Sequence, residues 1–148
     1  MGKINIHTGL DGFGLVDAIT EVENNRIAGF KRFANSPAYQ GIEALAQLGA
    51  LHVRYLNDFS RHAFLLKISR CTVSDQSLNG GLGLSGELFN HSRRAFSYRL
   101  EACQGIQPVV EGDFLFAVID YDETFKEHPL KLYFRKKFLC LQNGLKKD

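Results

Sequence analysis

The stretch SPAYQGIEALAQLGALHV, Ser36–Val53, decides how the chain is read. At about 100° per residue, Ile42, Leu45, Ala46, Gly49, Ala50 and Val53 follow the i, i+3, i+4, i+7 spacing of a helix. Leu48, Leu51 and Tyr55 cover much of the remaining surface, so a helix running from about Ala38 to Leu56 is apolar almost all the way round. Such a helix has to be enclosed by other elements. Its polar residues are few. Glu43, Gln47 and Arg54 fall within about 40° of one another and make a narrow stripe, while His52 lies about half a turn from Glu43.

The flanking sequence changes period. GLVDAITEVE (Gly14–Glu23) and RIAGFKRF (Arg26–Phe33) read as strands, and Asn24 and Asn25 between them suit a hairpin turn. ANSP then breaks the pattern before the helix. After the helix, HAFLLKISRCTV (His62–Val73), LGLSGELFN (Leu82–Asn90), AFSYRLEACQ (Ala95–Gln104) and DFLFAVIDY (Asp113–Tyr121) read as four more strands. SDQSLNGG, HSRR and QPVVEG connect them, and connections this short imply antiparallel neighbours. The tail HPLKLYFRKKFLCL places Leu130, Phe134, Phe138 and Leu141 at helical spacing, with Pro129 tolerated in the first turn. The predicted architecture is α+β: one long helix wrapped by a single antiparallel sheet, with a short C-terminal helix.

Composition narrows the classes of function. The 148 residues are 45% hydrophobic and 23% charged, which suits one domain spanning 1–148 with a proper core and excludes bulk disorder. The net charge of +2 is spread along the chain, and the one dense basic cluster, FRKKF, reads as a solvated helix face, so no nucleic-acid partner is expected. No apolar run approaches a membrane span, so no membrane partner is expected either. The first residues lack the basic head and apolar run of a signal peptide, and the three cysteines, Cys71, Cys103 and Cys140, form no CxxC pair. They read as small packed hydrophobes in a cytoplasmic protein with no metal site. GLGLSG (Gly81–Gly86) fits a dinucleotide-binding fingerprint by letter only, because it follows a polar loop and enters a strand.

Glu43 complements the positive end of its helix, an effect of about 0.3–1 kcal/mol. That accounts for Glu43 and not for Gln47, which sits one turn along the same stripe and can orient the carboxylate by a hydrogen bond. N–H groups at the helix start, from Tyr39 and Gln40 to Gly41 and Ile42, offer donors for a carbonyl oxygen, and Gly41 lets a substrate approach the backbone closely. An acid, an orienting amide and carbonyl-binding donors together suit elimination or acyl transfer.

PAYQGIEALAQ, Pro37–Gln47, resembles the start of the central helix in hotdog-fold thioester dehydratases, the 3-hydroxyacyl-(acyl-carrier-protein) dehydratases of fatty-acid synthesis and their aryl-polyene relatives. The family pattern of Pro, Gly and Glu-x-x-Ala-Gln is met by Pro37, Gly41, Glu43, Ala46 and Gln47. The resemblance extends over about Leu15–Ile119. It implies a cofactor-free dehydratase acting on an acyl thioester carried by acyl-carrier protein or CoA, with a pocket at the interface of a homodimer or of a heterodimer with another hotdog subunit. It also implies a histidine partner for Glu43 in a His-Phe-Pro stretch. Here that stretch falls on Gly29-Phe30-Lys31: Phe30 matches as a pocket residue and Gly29 replaces the histidine. His7, early in the chain, is the substitute candidate for the base. A subunit relying on a partner chain for its histidine, and a hotdog thioesterase in which Glu43 activates water, are the alternative readings.

Overall fold

The structure, a computed structural model, describes residues 16–120 and 127–143. Strands β1 (Ala18–Val22) and β2 (Arg26–Ser36) form a hairpin closed by a bond from the Glu23 N–H to the Arg26 carbonyl. Helix α1 (Tyr39–Leu56) follows, then β3 (Arg61–Val73), β4 (Leu78–His91), β5 (Ala95–Gln104), β6 (Gln107–Asp120) and helix α2 (Glu127–Asn143). The strands make one six-stranded sheet in the order β1-β2-β4-β5-β6-β3, with every neighbouring pair antiparallel. The long helix enclosed by one antiparallel sheet is the predicted architecture, but the short SDQSLNGG connection does not join neighbours: β3 crosses to the far edge and pairs with β6, while β4 pairs with β2 and β5.

Two glycines set how close α1 lies to the sheet. A Cβ on Gly49 would stand 2.5 Å from the Phe116 ring, and one on Gly41 would stand 2.8 Å from Val110 Cγ2. Both positions have to stay bare for the helix backbone to reach β6. Around them Leu45, Leu48, Leu51 and Val53 pack against Leu84, Leu100, Phe114 and Phe116 in the core.

β2, β4 and β6 run further than the sequence pattern suggested, while β1 is shorter, with Val16, Asp17 and Glu23 outside it. β2 continues through Ala34-Asn35-Ser36, with a register shift after Phe33 and Asn35 at φ 50°. β4 begins at Leu78, so Gly80 and Gly81, read as loop, pair with Phe33 and Arg32. The Phe30 ring covers Gly81 where a side chain would otherwise stand. QPVVEG, read as a connection, belongs to β6, and the turn it was expected to form shrinks to Gly105 and Ile106. Cys71 and Cys140 are exposed, against the expectation of packed thiols, while the half-buried Cys103 bonds the Glu101 carboxylate.

The face of the sheet away from α1 carries an alternating row of charges. Glu21 pairs with Arg26 at 3.5 Å, and Arg26 with Glu87 at 3.2 Å. Glu87 lies opposite Arg99, which pairs with Asp113 at 3.2 Å, and Asp113 pairs with Arg70 at 3.2 Å. Exposed pairs of this kind add little stability each. They keep this face wet while the other holds the core.

The two sheet edges differ. α2 lies against β1 and the end of α1: Arg54 stacks over the Phe134 ring at 3.8 Å, and Phe138 stacks on Tyr55 at 5.3 Å. The other edge is β3, 13 residues long, and no described strand pairs with its outer side. Leu65, Leu66 and Val73 are exposed along it.

His52 is fully buried with both ring nitrogens engaged. Nε2–H donates to the Glu23 carbonyl at 2.7 Å, and Nδ1 accepts from the Tyr98 hydroxyl at 2.5 Å. Only the neutral ring fits this arrangement without turning the hydroxyl round, and burial lowers the pKa of His52 against the weaker opposing pull of the Glu23 carbonyl. His62, buried at the start of β3, is lowered to about 4, by burial first and then by the Arg54 charge. Both folded values lie below the ordinary 6.5, so below that pH the unfolded chain takes up protons that the folded chain refuses. Stability is therefore complete above about pH 6.5 and falls as the pH drops toward 4, by up to about 1.4 kcal/mol per unit for each histidine. Urea midpoints at pH 7, 6 and 5 should decline accordingly, and His62→Gln should flatten the decline. Equal midpoints at pH 7 and 5 would contradict two histidines held neutral.

Candidate active site

Three contacts fix the orientation of α1. Gly49 faces Phe116 and Leu100 of the central strands, Leu48 faces Gly29 of β2, and Arg54 reaches β3 through a 2.8 Å bond to the Ala63 carbonyl. Counting from these at about 100° per residue, the stripe of Glu43 and Gln47 lies on the side of the helix that leans toward β3, the bare edge. Ile42, Glu43, Ala46 and Gln47 are half-buried there, and Tyr39, one turn before Glu43, is 57% exposed. The stripe closes at Arg54, which is 1% exposed beneath Phe134. The opening on α1 therefore runs from Tyr39 to Gln47 and presents one carboxylate and one amide a single turn apart.

Glu43 is the fifth residue of α1, so it stands in the second turn and not in the first as expected. The donors at the helix start are also fewer. The Gln40 N–H bonds the Pro37 carbonyl at 3.0 Å, and the Gly41 N–H bonds the Ala38 carbonyl at 2.9 Å. Gly41 itself is sealed against Val110 and Leu78, so its missing side chain admits the sheet rather than a substrate. Phe30 follows Gly29 on β2 and so points to the opposite face of the sheet, where it covers Gly81. It shares no pocket with Glu43 of its own chain. Of the predicted site residues, Glu43, Gln47, Tyr39 and Ile42 come together, Gln40 is half-buried beside Tyr39, and Gly41 and Phe30 are withdrawn.

Of the histidines whose side chains are described, His52, His62 and His91, none reaches the stripe. His52 is locked on the far side of α1 by Tyr98 and Glu23. His62 lies at the start of β3, at the other end of the helix, and His91 stacks on Phe96 near the β4–β5 turn. His7 lies outside the described residues. The role of Arg54 as the closed end of the stripe was not visible in the sequence. The signal was its place on the Glu43 side of an otherwise apolar helix, but the covering Phe134 is 80 residues away in sequence.

No protein-family model matches the chain, and none of the curated proteins matches it in sequence. Solved structures do match it in shape. A conserved protein of Pseudomonas aeruginosa superposes with a TM-score of 0.64 at 15% identity, covering 77% of this chain and 95% of its own. The dehydratase heterocomplex ApeI:P of Xenorhabdus doucetiae gives 0.62 at 13%, covering 76% and 86%. A hypothetical thioesterase of Streptococcus pneumoniae, solved with coenzyme A, gives 0.60 at 14%, covering 69% and 87%. The chain has the hotdog fold, with thioesterases and a dehydratase among its structural neighbours.

Gly29 is where the resemblance placed a lost histidine, and the structure closes that position. A Cβ there would stand 2.6 Å from the Ala18 carbonyl oxygen and 3.2 Å from Leu48 Cδ1. Gly29→His should therefore lower the melting temperature and add no activity, because crowding a packed site costs about 1–3 kcal/mol or more. A stable Gly29→His protein that dehydrates a 3-hydroxyacyl thioester would show that the position is open.

Proposed function

We propose that the chain hydrolyses an acyl thioester as a homodimer, with Glu43 as its acid–base group. The observation that carries this is the half-open Glu43–Gln47 stripe beside the β3 edge, on which no described strand pairs, with none of His52, His62 and His91 within its reach. Hydrolysis can run on one proton carrier, whereas the dehydratase pattern that the resemblance implies pairs Glu43 with a histidine. The Glu43 carboxylate takes a proton from water as the water oxygen attacks the thioester carbonyl. The tetrahedral intermediate collapses with cleavage of the C–S bond, and the leaving thiolate takes the proton back from Glu43. Gln47, one turn along, is placed to hold the carboxylate or the attacking water. Ile42 and Ala46 offer an apolar wall to the acyl chain, and Tyr39 stands at the mouth.

The dimer follows from the edge. An unpaired strand of 13 residues with exposed Leu65 and Leu66 invites pairing, and a second copy of the same edge closes it symmetrically. Pairing β3 to β3 also brings a second chain up to the open side of α1. The match of Pro37, Gly41, Glu43, Ala46 and Gln47 to the dehydratase pattern favours a second reading. In it Glu43 protonates the leaving hydroxyl of a 3-hydroxyacyl thioester, and His7 or a partner hotdog subunit supplies the base.

The test is turnover of acyl-CoA against 3-hydroxyacyl-CoA by the purified chain and by Glu43→Gln. Release of free thiol, reduced about 10²–10⁴-fold in Glu43→Gln with an unchanged melting temperature, is the expected result. Enoyl product in place of thiol, lost in His7→Ala, would establish the dehydratase reading. Full activity in Glu43→Gln, or a monomer by light scattering at micromolar concentration, would overturn the site.

A further inference from the structure

The turn from α1 into β3 is strained, and α2 holds it. Asp58 and Phe59 follow one another at φ 52° and 58°. The Asp58 N–H bonds the Tyr55 carbonyl at 3.0 Å, and the Phe59 N–H bonds the Arg54 carbonyl at 2.7 Å. This helix ending commonly places a glycine where Asp58 stands and asks for no second left-handed residue after it. A bulky side chain such as that of Phe59 is strongly disfavoured there by its own Cβ, so the surroundings have to hold it.

One stretch of α2 supplies the hold. Arg135 Nη2 donates to the Asp58 carboxylate at 3.0 Å, and its guanidinium lies over the Phe59 ring at 5.7 Å. The Phe138 ring meets Phe59 edge-on at 5.6 Å and stacks on Tyr55. Phe134 covers Arg54. Arg54 in turn ties the segment together: its carbonyl takes the Phe59 N–H, and its Nη2 donates to the Ala63 carbonyl. That side-chain bond crosses from α1 to β3 and ends the seam between them. From Glu43 to this crossbar, α1 offers Ala46 and Ala50 to the seam. β3 offers Leu65 and Ile68, which pair with Phe116 and Phe114 and share their face of the sheet.

We infer that α2 is a releasable strap. Docked, it keeps the Asp58-Phe59 turn in its left-handed form and Arg54 across the end of the seam. Released, it lets the turn relax and opens the seam to a longer acyl chain running from Glu43. The effect on an acyl chain rests on the thioester reading proposed above; the strap itself does not.

Hydrogen exchange on the full chain in low urea tests the strap. The amides of α2 and those of Asp58 and Phe59 should exchange through one shared opening. Its urea dependence should be weaker than that of the Tyr98 and Phe116 amides in the sheet. Arg135→Ala leaves both phenylalanines in place and should speed the shared opening about tenfold. Asp58→Gly loses the same ion pair but sheds the strain, so its Phe59 amide should exchange more slowly than in Arg135→Ala. A single opening common to α2 and the sheet, turn amides indifferent to Arg135→Ala, or Asp58→Gly as fast as Arg135→Ala would each overturn the strap. Calorimetry with butanoyl-CoA and dodecanoyl-CoA tests the seam. Arg135→Ala should raise the affinity for the long chain over the short one by the same factor of about ten, because apparent affinity follows the population of the open form. An unchanged ratio in a chain whose turn does open faster would overturn the link between strap and seam. If neither thioester binds, the thioester reading falls, and exchange still decides the strap.

Discussion

The contact on which the structure depends is the approach of the α1 backbone to β6. Gly49 lies under the Phe116 ring and Gly41 under Val110, each with no room for a Cβ. Pressed this close, the helix buries the flank that bears His52, and a histidine so placed needs partners for both nitrogens. It finds the Tyr98 hydroxyl on β5 and the Glu23 carbonyl at the β1–β2 turn. Burial raises the pKa of the Tyr98 phenol, so it remains a donor. One close helix–sheet contact thereby fixes the rotation of α1, ties the first hairpin to the core and leaves the opposite flank, with Glu43 and Gln47, as the side that stays open.

That open side and the free sheet edge belong together. The β1 edge is short and α2 lies against it, with Phe134 and Phe138 filling the space over Arg54 and Tyr55. The β3 edge is long and carries apolar side chains outward. On the outer face, burial alone would raise the pKa of Asp113, but Arg70 and Arg99 together outweigh it and hold the carboxyl below its usual range. A face crossed by such pairs resists stacking against another sheet, whereas an unpaired edge with exposed leucines favours extension of the sheet.

Much of this was legible in the residues. The helix, the Asn24-Asn25 hairpin and the six strands follow from period and turn chemistry, but the strand order does not: the short link between β3 and β4 suggested neighbours, whereas β3 pairs with β6 and β4 with β2. What misled was glycine and proline inside strands. Gly80 and Gly81 looked like loop because nothing in sequence shows that the Phe30 ring will cover Gly81 from the neighbouring strand. Pro108 looked like a connection, yet it opens a strand whose turn needs only Gly105 and Ile106. The site was half legible. Periodicity put Glu43 and Gln47 on one stripe, but helix spacing alone does not say which flank meets the sheet. Gly41 was therefore read as open to substrate, although a Cβ there would stand 2.8 Å from Val110 Cγ2. Phe30 failed for a simpler reason: parity along β2 is set by Gly29 facing Leu48, and a matched motif carries no information about parity when the matched histidine is absent.

An acid on the most enclosed helix of the chain has an account that needs both the packing and the missing histidine. Away from the stripe, α1 is buried by the sheet or sealed by α2, and the one polar residue it buries on its far side, His52, is locked by Tyr98 and the Glu23 carbonyl. A carboxylate placed there for stability alone would gain most in the first turn, close to the positive end of the helix. Glu43 stands one turn deeper, where that effect has largely faded, on the flank that faces the unpaired edge. Helix stability therefore does not explain the choice of residue at this position. In the hydrolase reading proposed above, Glu43, held between an apolar helix and the β3 edge, is the group that takes a proton from water and returns it to a leaving thiolate.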